Sequence, residues 1–181
     1  MKVKVLVSSL MEDKKVTFPG GEVIEPRAEM LPTMLAATLK RLLPAEAEVH
    51  SGWQTQTMVD GWLSGSFQCW LVVDDELVKI DAGARKGQED VSDITVRLLP
   101  LHLHRMAPSI ALSHHRPASV IASVERLFQM RVEFGIDGEM FHSEVSAGSF
   151  DALSRFVQEL TAAASRSRAP RRPAAGRRVT R

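Results

Sequence analysis

Tyrosine is absent from these 181 residues and cysteine occurs once. A lone cysteine, Cys69, cannot close an internal disulfide, so nothing here is built for an oxidising compartment. No apolar run approaches the roughly 20 residues needed to span a bilayer, and no signal-peptide pattern opens the sequence. The expectation is a soluble, intracellular protein. There is no phosphate-cradling glycine loop, no dinucleotide fingerprint and no Gly-x-Ser-x-Gly elbow. Gly61 to Gly65 reads GWLSG, with the outer glycines but Leu63 ahead of Ser64, which lacks the flanking geometry of a nucleophile. Among acidic residues the gap is local: none occurs from Arg166 to Arg181.

That gap reveals a charge asymmetry hidden by a net charge of +1. Arg166, Arg168, Arg171, Arg172, Arg177, Arg178 and Arg181 crowd the last sixteen positions. Without them, 16 basic residues face 22 acidic ones, so a body near −6 carries a separate cationic arm. The length suits one domain with a substantial core, assigned to residues 1–164. Residues 165–181 are rich in Arg, Pro, Ala and Ser, with too little apolar surface to offset the entropy of ordering them, so a disordered tail is expected.

The clearest periodicity lies in Leu127 to Gly138, LFQMRVEFGIDG. Phe128, Met130, Val132, Phe134 and Ile136 alternate with Gln129, Arg131, Glu133, Gly135 and Asp137. Period-two alternation predicts a strand with one buried and one wet face, hence a sheet with a single core face backed by helices. Val3, Val5 and Val7 alternate with Lys2 and Lys4, predicting an opening edge strand, with residues 118–125 as its partner. Phe18-Pro19-Gly20-Gly21 marks a turn. Leu31, Met34, Leu35, Thr38, Leu39, Leu42 and Leu43 draw a helical stripe ended by Pro44, with Lys40 and Arg41 in its last turn.

Met58, Val59, Trp62 and Leu63 suggest a short second helix over 53–65. Phe67 to Val73 and Leu77 to Ile80 flank Asp74-Asp75 as a hairpin. Residues 82–93 read as a mobile loop, and Ile94, Val96 and Leu98 as a strand stopped by Pro100. A closing helix from Ser149 carries Leu153, Phe156, Val157 and Leu160. The fold class is therefore α+β: an antiparallel sheet of about five strands on two or three helices.

Chemistry-bearing residues are few. His102 and His104 share a face of an extended segment, with His114 and His115 ten residues on and Asp93 as a possible acidic partner. Alternate imidazoles can grip zinc, but no cysteine or glutamate completes a zinc spacing, so structural histidines are the plainer reading. Asp74, Asp75 and Glu76 read as a solvated turn rather than a cation site, and the tryptophans 53, 62 and 70 as core. Cys69, inside FQCWLVV, reads as a buried structural thiol. No catalytic residue, metal site or cofactor is assigned.

The arginine arm is the most informative feature. Spaced arginines attract phosphates on nucleic acid or on anionic lipid, and Arg-Arg pairs also read as a nuclear-import address. Lys2, Lys4, Lys14 and Lys15 add a candidate second basic surface.

The order of elements, and the text HRMAP…HHRP at His104 to Pro117 leading into RLFQMRVEFGIDGE, resembles rhabdovirus-type matrix proteins over residues 2–160. The resemblance implies an assembly protein that self-associates, condenses a viral ribonucleoprotein or its RNA, and attaches it to an anionic membrane surface. It places the chain in a host cytoplasm or nucleus and in the virion. Two features depart from that family. Its members usually carry the basic arm at the N-terminus, and many carry a Pro-Pro-x-Tyr or Pro-Ser/Thr-Ala-Pro budding motif. This chain has no tyrosine, and neither Pro32-Thr33-Met34 nor Pro108-Ser109-Ile110 completes the second form. The alternatives are a nucleic-acid-binding accessory protein using the same arm, or a small metal-dependent enzyme using the four histidines.

Overall fold

The computed structural model describes residues 1–27, 29–59, 62–83, 93–101, 108–114 and 128–168. It is α+β, with three helices and nine strands in antiparallel sheets among the described residues. The central sheet has four strands in sequence order: β3 (Val49–Val59), β4 (Trp62–Val73), β5 (Glu76–Gly83) and β6 (Asp93–Pro100). A three-stranded sheet follows, ordered β7 (Ser109–His114), β8 (Phe128–Ile136) and β9 (Glu139–Ser146). A small hairpin pairs β1 (Val16–Thr17) with β2 (Val23–Ile24).

The central sheet has two core faces, not the single face expected. Phe67, Cys69, Leu71, Val78, Ile80 and Ala82 point to one side, against α1 (Val3–Glu12), α2 (Leu31–Leu42) and the small hairpin. Trp70, Val72, Leu77 and Leu99 point to the other, against β8, β9 and α3 (Phe150–Arg168). Burial on both sides explains why β4 and β5 read as near-continuous apolar runs, CWLVV and LVKI, rather than as alternation. The single wet face belongs to β8, whose Met130, Val132, Phe134 and Ile136 are buried while Arg131 and Gly135 are exposed.

The opening edge strand is a helix. Val3, Leu6 and Leu10 are buried at spacings of three and four, and Val5, which a strand would have buried with Val3, is 47% exposed. Only the first two residues run extended: Met1 and Val49 exchange backbone hydrogen bonds, and Lys2 bridges Glu48. The first free N–H groups of α1, on Val3 and Lys4, donate to Ala47 and Ala45 carbonyls. Lys14, at φ 56°, ends the helix in the left-handed conformation. Residues 118–125, expected to pair with an opening strand, lie outside the described residues.

The expected helix over 53–65 is also wrong. Trp53 to Val59 continue β3, and β4 pairs with it through Met58↔Leu63 and Val59↔Trp62. Helix α2, the turn at 18–21, the hairpin about Asp74-Asp75, β6 and α3 stand where the sequence places them. Of the loop expected at 82–93, Ala82 and Gly83 belong to β5 and Asp93 to β6, and positions 84–92 are outside the described residues.

The second core is aromatic. Phe134 and Phe141, directly paired across β8 and β9, stack at 4.5 Å with ring planes 6° apart. Trp70 meets both edge-on, at 6.2 and 5.5 Å. Phe156 of α3 lies 5.5 Å from Phe141 and 6.5 Å from Trp53. Trp53 donates its indole N–H to Ser143 Oγ at 3.0 Å, giving its polar edge a partner.

Candidate functional site

The cationic arm begins on a helix that the core holds firmly. Leu153, Phe156, Val157, Leu160, Ala163 and Ala164 repeat at helical spacing and are all buried, which pins α3 into the aromatic core. One residue on the polarity changes: Ser165 and Arg166 are exposed, and Ser165 Oγ donates to the Thr161 carbonyl at 2.8 Å. The helix continues to Arg168, so its last four residues fall within the stretch 165–181. Arg166 and Arg168 thus occupy the last turn, where the helix dipole favours positive charge. Arg171, Arg172, Arg177, Arg178 and Arg181 lie outside the described residues.

The four lysines do not form one surface. Lys2 and Lys4 stand at the start of α1, while Lys14 and Lys15 follow its end, about 15 Å away for a helix of this length. All four are exposed. Lys4 Nζ lies 2.7 Å from Glu46 Oε1. The Lys4 hydrogen bond, then its charge, holds the Glu46 carboxyl below the usual carboxylate range, with a small further contribution from Lys2. Beside this pair is a cleft of about 260 Å³ lined by Val3, Val7, Leu43, Ala45, Lys4 and Lys40.

Sequence reasoning missed an ion network between the two sheets. Lys79 of β5 is 7% exposed, and its Nζ contacts Glu139 Oε2 at 2.7 Å and Asp81 Oδ2 at 3.0 Å. Arg97 of β6 also pairs with Glu139, and Gln68 donates to Asp81 at 2.9 Å. The ammonium sits 5.3 Å from the Trp70 ring centre. Every charge in this network has an opposite partner, so its effect is to join β5 and β6 to the β8–β9 turn. The signal was present in the sequence, as the one cation inside the apolar run of β5.

A second overlooked group is Glu22, which is 2% exposed. One carboxylate oxygen accepts from Ser51 Oγ at 2.9 Å, and the other is buried without a protein partner, packed against Gly20. Nearby, Pro19, His50, Arg155 and Glu159 line an open cleft of about 410 Å³.

Of the four candidate histidines, His102, His104 and His115 are outside the described residues, and His114 ends β7. Among the described residues, no group of three or more His, Cys, Asp or Glu side chains comes together to hold a metal ion. Cys69 is buried in the first core, where burial pushes its thiol pKa far up. Among the described residues no helix is long and apolar enough to cross a membrane.

No family model and no curated protein matches this chain. Among solved structures, the hSac2 domain from human phosphoinositide phosphatase Sac2 is similar over 76% of this chain and 83% of that one, at 16% identity and a TM-score of 0.37. Likeness of that degree assigns neither fold nor activity.

Proposed function

We propose that this is a non-enzymatic, matrix-type assembly protein. It self-associates and links a viral ribonucleoprotein to an anionic membrane surface through the arginine arm. The observation that supports this reading is the abrupt change along α3. Six apolar side chains anchor the helix in the core, and the cationic segment starts at the exposed Arg166 in its last turn. A helix fixed in this way delivers the arm from a defined point on an otherwise acidic body.

Each basic residue near an anionic membrane contributes roughly 1 kcal/mol, so seven arginines supply attachment that weakens as salt shortens the Debye length. The Arg171-Arg172 and Arg177-Arg178 pairs support a second reading, an arm for RNA phosphates or for a nuclear import receptor.

The test is liposome flotation of the full chain beside a chain with all seven arginines replaced by glutamine. Flotation with phosphatidylserine vesicles but not neutral ones, lost in high salt and in the glutamine chain, is the expected result. Equal flotation of the two chains, or none, overturns membrane attachment by the arm.

A further inference from the structure

Strand β7 is the outer strand of its sheet and, among the described residues, has one hydrogen-bonded neighbour, β8. Every second residue of such a strand turns its N–H and C=O away from the sheet, ready for another strand. Natural edges are usually blunted by lysine, by an inward charge or by a bulge. From Pro108 to Ser113, PSIALS carries no charge, and β7 pairs with β8 in unbroken register from Ser109↔Glu133 to His114↔Phe128.

The side chains point the same way. Ile110 and Leu112 lie directly opposite Val132 and Met130 on the core-facing side of the sheet. Val132 and Met130 are 0% and 4% exposed, whereas Ile110 and Leu112 are 55% and 72% exposed. The apolar layer of the second core therefore runs out onto the edge strand and stops there uncovered.

We propose that this edge pairs with a second copy of the chain, β7 against β7 and antiparallel, about a two-fold axis through Ala111. The segment is self-complementary in that arrangement. Ser-Ile-Ala-Leu-Ser reads as the same residue types in both directions from Ala111, so Ile110 faces the second copy's Leu112 and Ser109 faces its Ser113. Four aliphatic side chains meet on one face, while the serines and alanines on the other are small enough not to clash. Centring the pair on Ile110 instead sets Leu112 against Pro108, which has no N–H to give and leaves half the aliphatic surface exposed.

Charge does not oppose the contact. Among the described residues, the nearest charged side chains on the outer face, Arg131 and Glu133, sit one strand inward and are paired with Glu144 and His142. In the dimer the two copies of Arg131 stand three strand spacings apart, about 14 Å, beyond the roughly 10 Å Debye length at 0.1 M salt. A six-residue edge is about 20 Å long and buries less than a standard stable interface, so the pairing is weak and concentration-dependent.

The inference names the surface used by the self-association in the proposed function, and its biological meaning rests on that reading. Its tests separate the two. The full chain is followed by sedimentation velocity over a hundredfold concentration range in salt high enough to silence the arm. The parent shows a monomer–dimer equilibrium, and Leu112→Lys, at an exposed position, raises the dissociation constant at least tenfold with unchanged circular dichroism.

Ala111→Cys gives the sharper result. On the two-fold axis its Cα faces its own copy at about 4.5 to 5.5 Å, inside the disulfide range, so mild oxidation cross-links it to a dimer. Ser109→Cys, whose copy lies some four residues away along the strand, does not cross-link. A parent that dimerises while Leu112→Lys dimerises equally, or cysteines at 109 and 111 that cross-link at the same rate, overturns the β7 pairing and leaves self-association standing. A parent that stays monomeric throughout overturns both.

Discussion

Lys79 Nζ lies 2.7 Å from Glu139 Oε2, and this ion pair, formed between β5 and the first residue of β9, ties the central sheet to the three-stranded one. The Lys79 and Glu139 side chains are 9% and 13% exposed, so if one is removed the other depends on its remaining partner, Asp81 for Lys79 and Arg97 for Glu139. Removing one member of a buried pair costs about 3–5 kcal/mol, because the survivor keeps a desolvated charge. Lys79→Met leaves Glu139 paired with Arg97 and Asp81 with Gln68, so its loss is expected below that range, seen as a lower urea midpoint. Lys79→Met combined with Glu139→Gln is expected to recover part of the loss. Equal loss in the single and double variants would show that the pair is not coupled.

Gly52 of β3 faces the small hairpin at very close range. A Cβ at this position would lie 2.7 Å from Ile24 Cδ1 and 2.8 Å from Phe18 Cζ, both in buried residues. Gly52→Ala is therefore expected to destabilise by roughly 1–3 kcal/mol through overpacking, measured by urea unfolding. Gly148→Ala, where the added methyl meets nothing within 4 Å, serves as the unaffected comparison.

Cys69 sits in the first core with its thiol pKa pushed well above the ordinary value by burial alone. Only the thiolate reacts with aromatic disulfide reagents. The native protein is expected to leave Cys69 unlabelled at pH 8 and to label stoichiometrically in denaturant. Rapid labelling of folded protein would place the thiol near solvent.

Glu46 carries a pH dependence of definite sign. Its folded-state pKa is depressed by Lys4, so any stabilisation from the pair is present above the ordinary carboxylate pKa and is lost as pH falls through the lower folded value. Carboxyl titration by nuclear magnetic resonance is expected to show Glu46 below its usual range, returning upward in Lys4→Ala. An identical titration in both chains would remove Lys4 as the cause.

What the sequence made legible follows from how many faces of each element are buried. β8 reads correctly because one face is wet, and α2 and α3 because each buries one stripe. The opening helix reads as a strand because Val3, Val5 and Val7 alternate with Lys2 and Lys4, although Leu6 and Leu10, which the strand would put on its wet face, complete the helical spacing with Val3. Met58, Val59, Trp62 and Leu63 have helix-like spacing, yet in the hairpin they are two cross-strand pairs; the intervening Asp60-Gly61 was the stronger sequence signal and points to a hairpin turn. For the candidate site, the arginine arm was legible from composition. Lys79 stood out as the one cation in the apolar run of β5, but its partner Glu139 and the bare β7 edge were not legible, because each depends on strands distant in sequence becoming neighbours.

The most direct measurement of the central claim is flotation of the full chain and its seven-glutamine counterpart with phosphatidylserine and neutral vesicles, in low and high salt. The account predicts that only the arginine chain floats, only with the anionic vesicles and only in low salt. Flotation of both chains alike, or of neither, would contradict it.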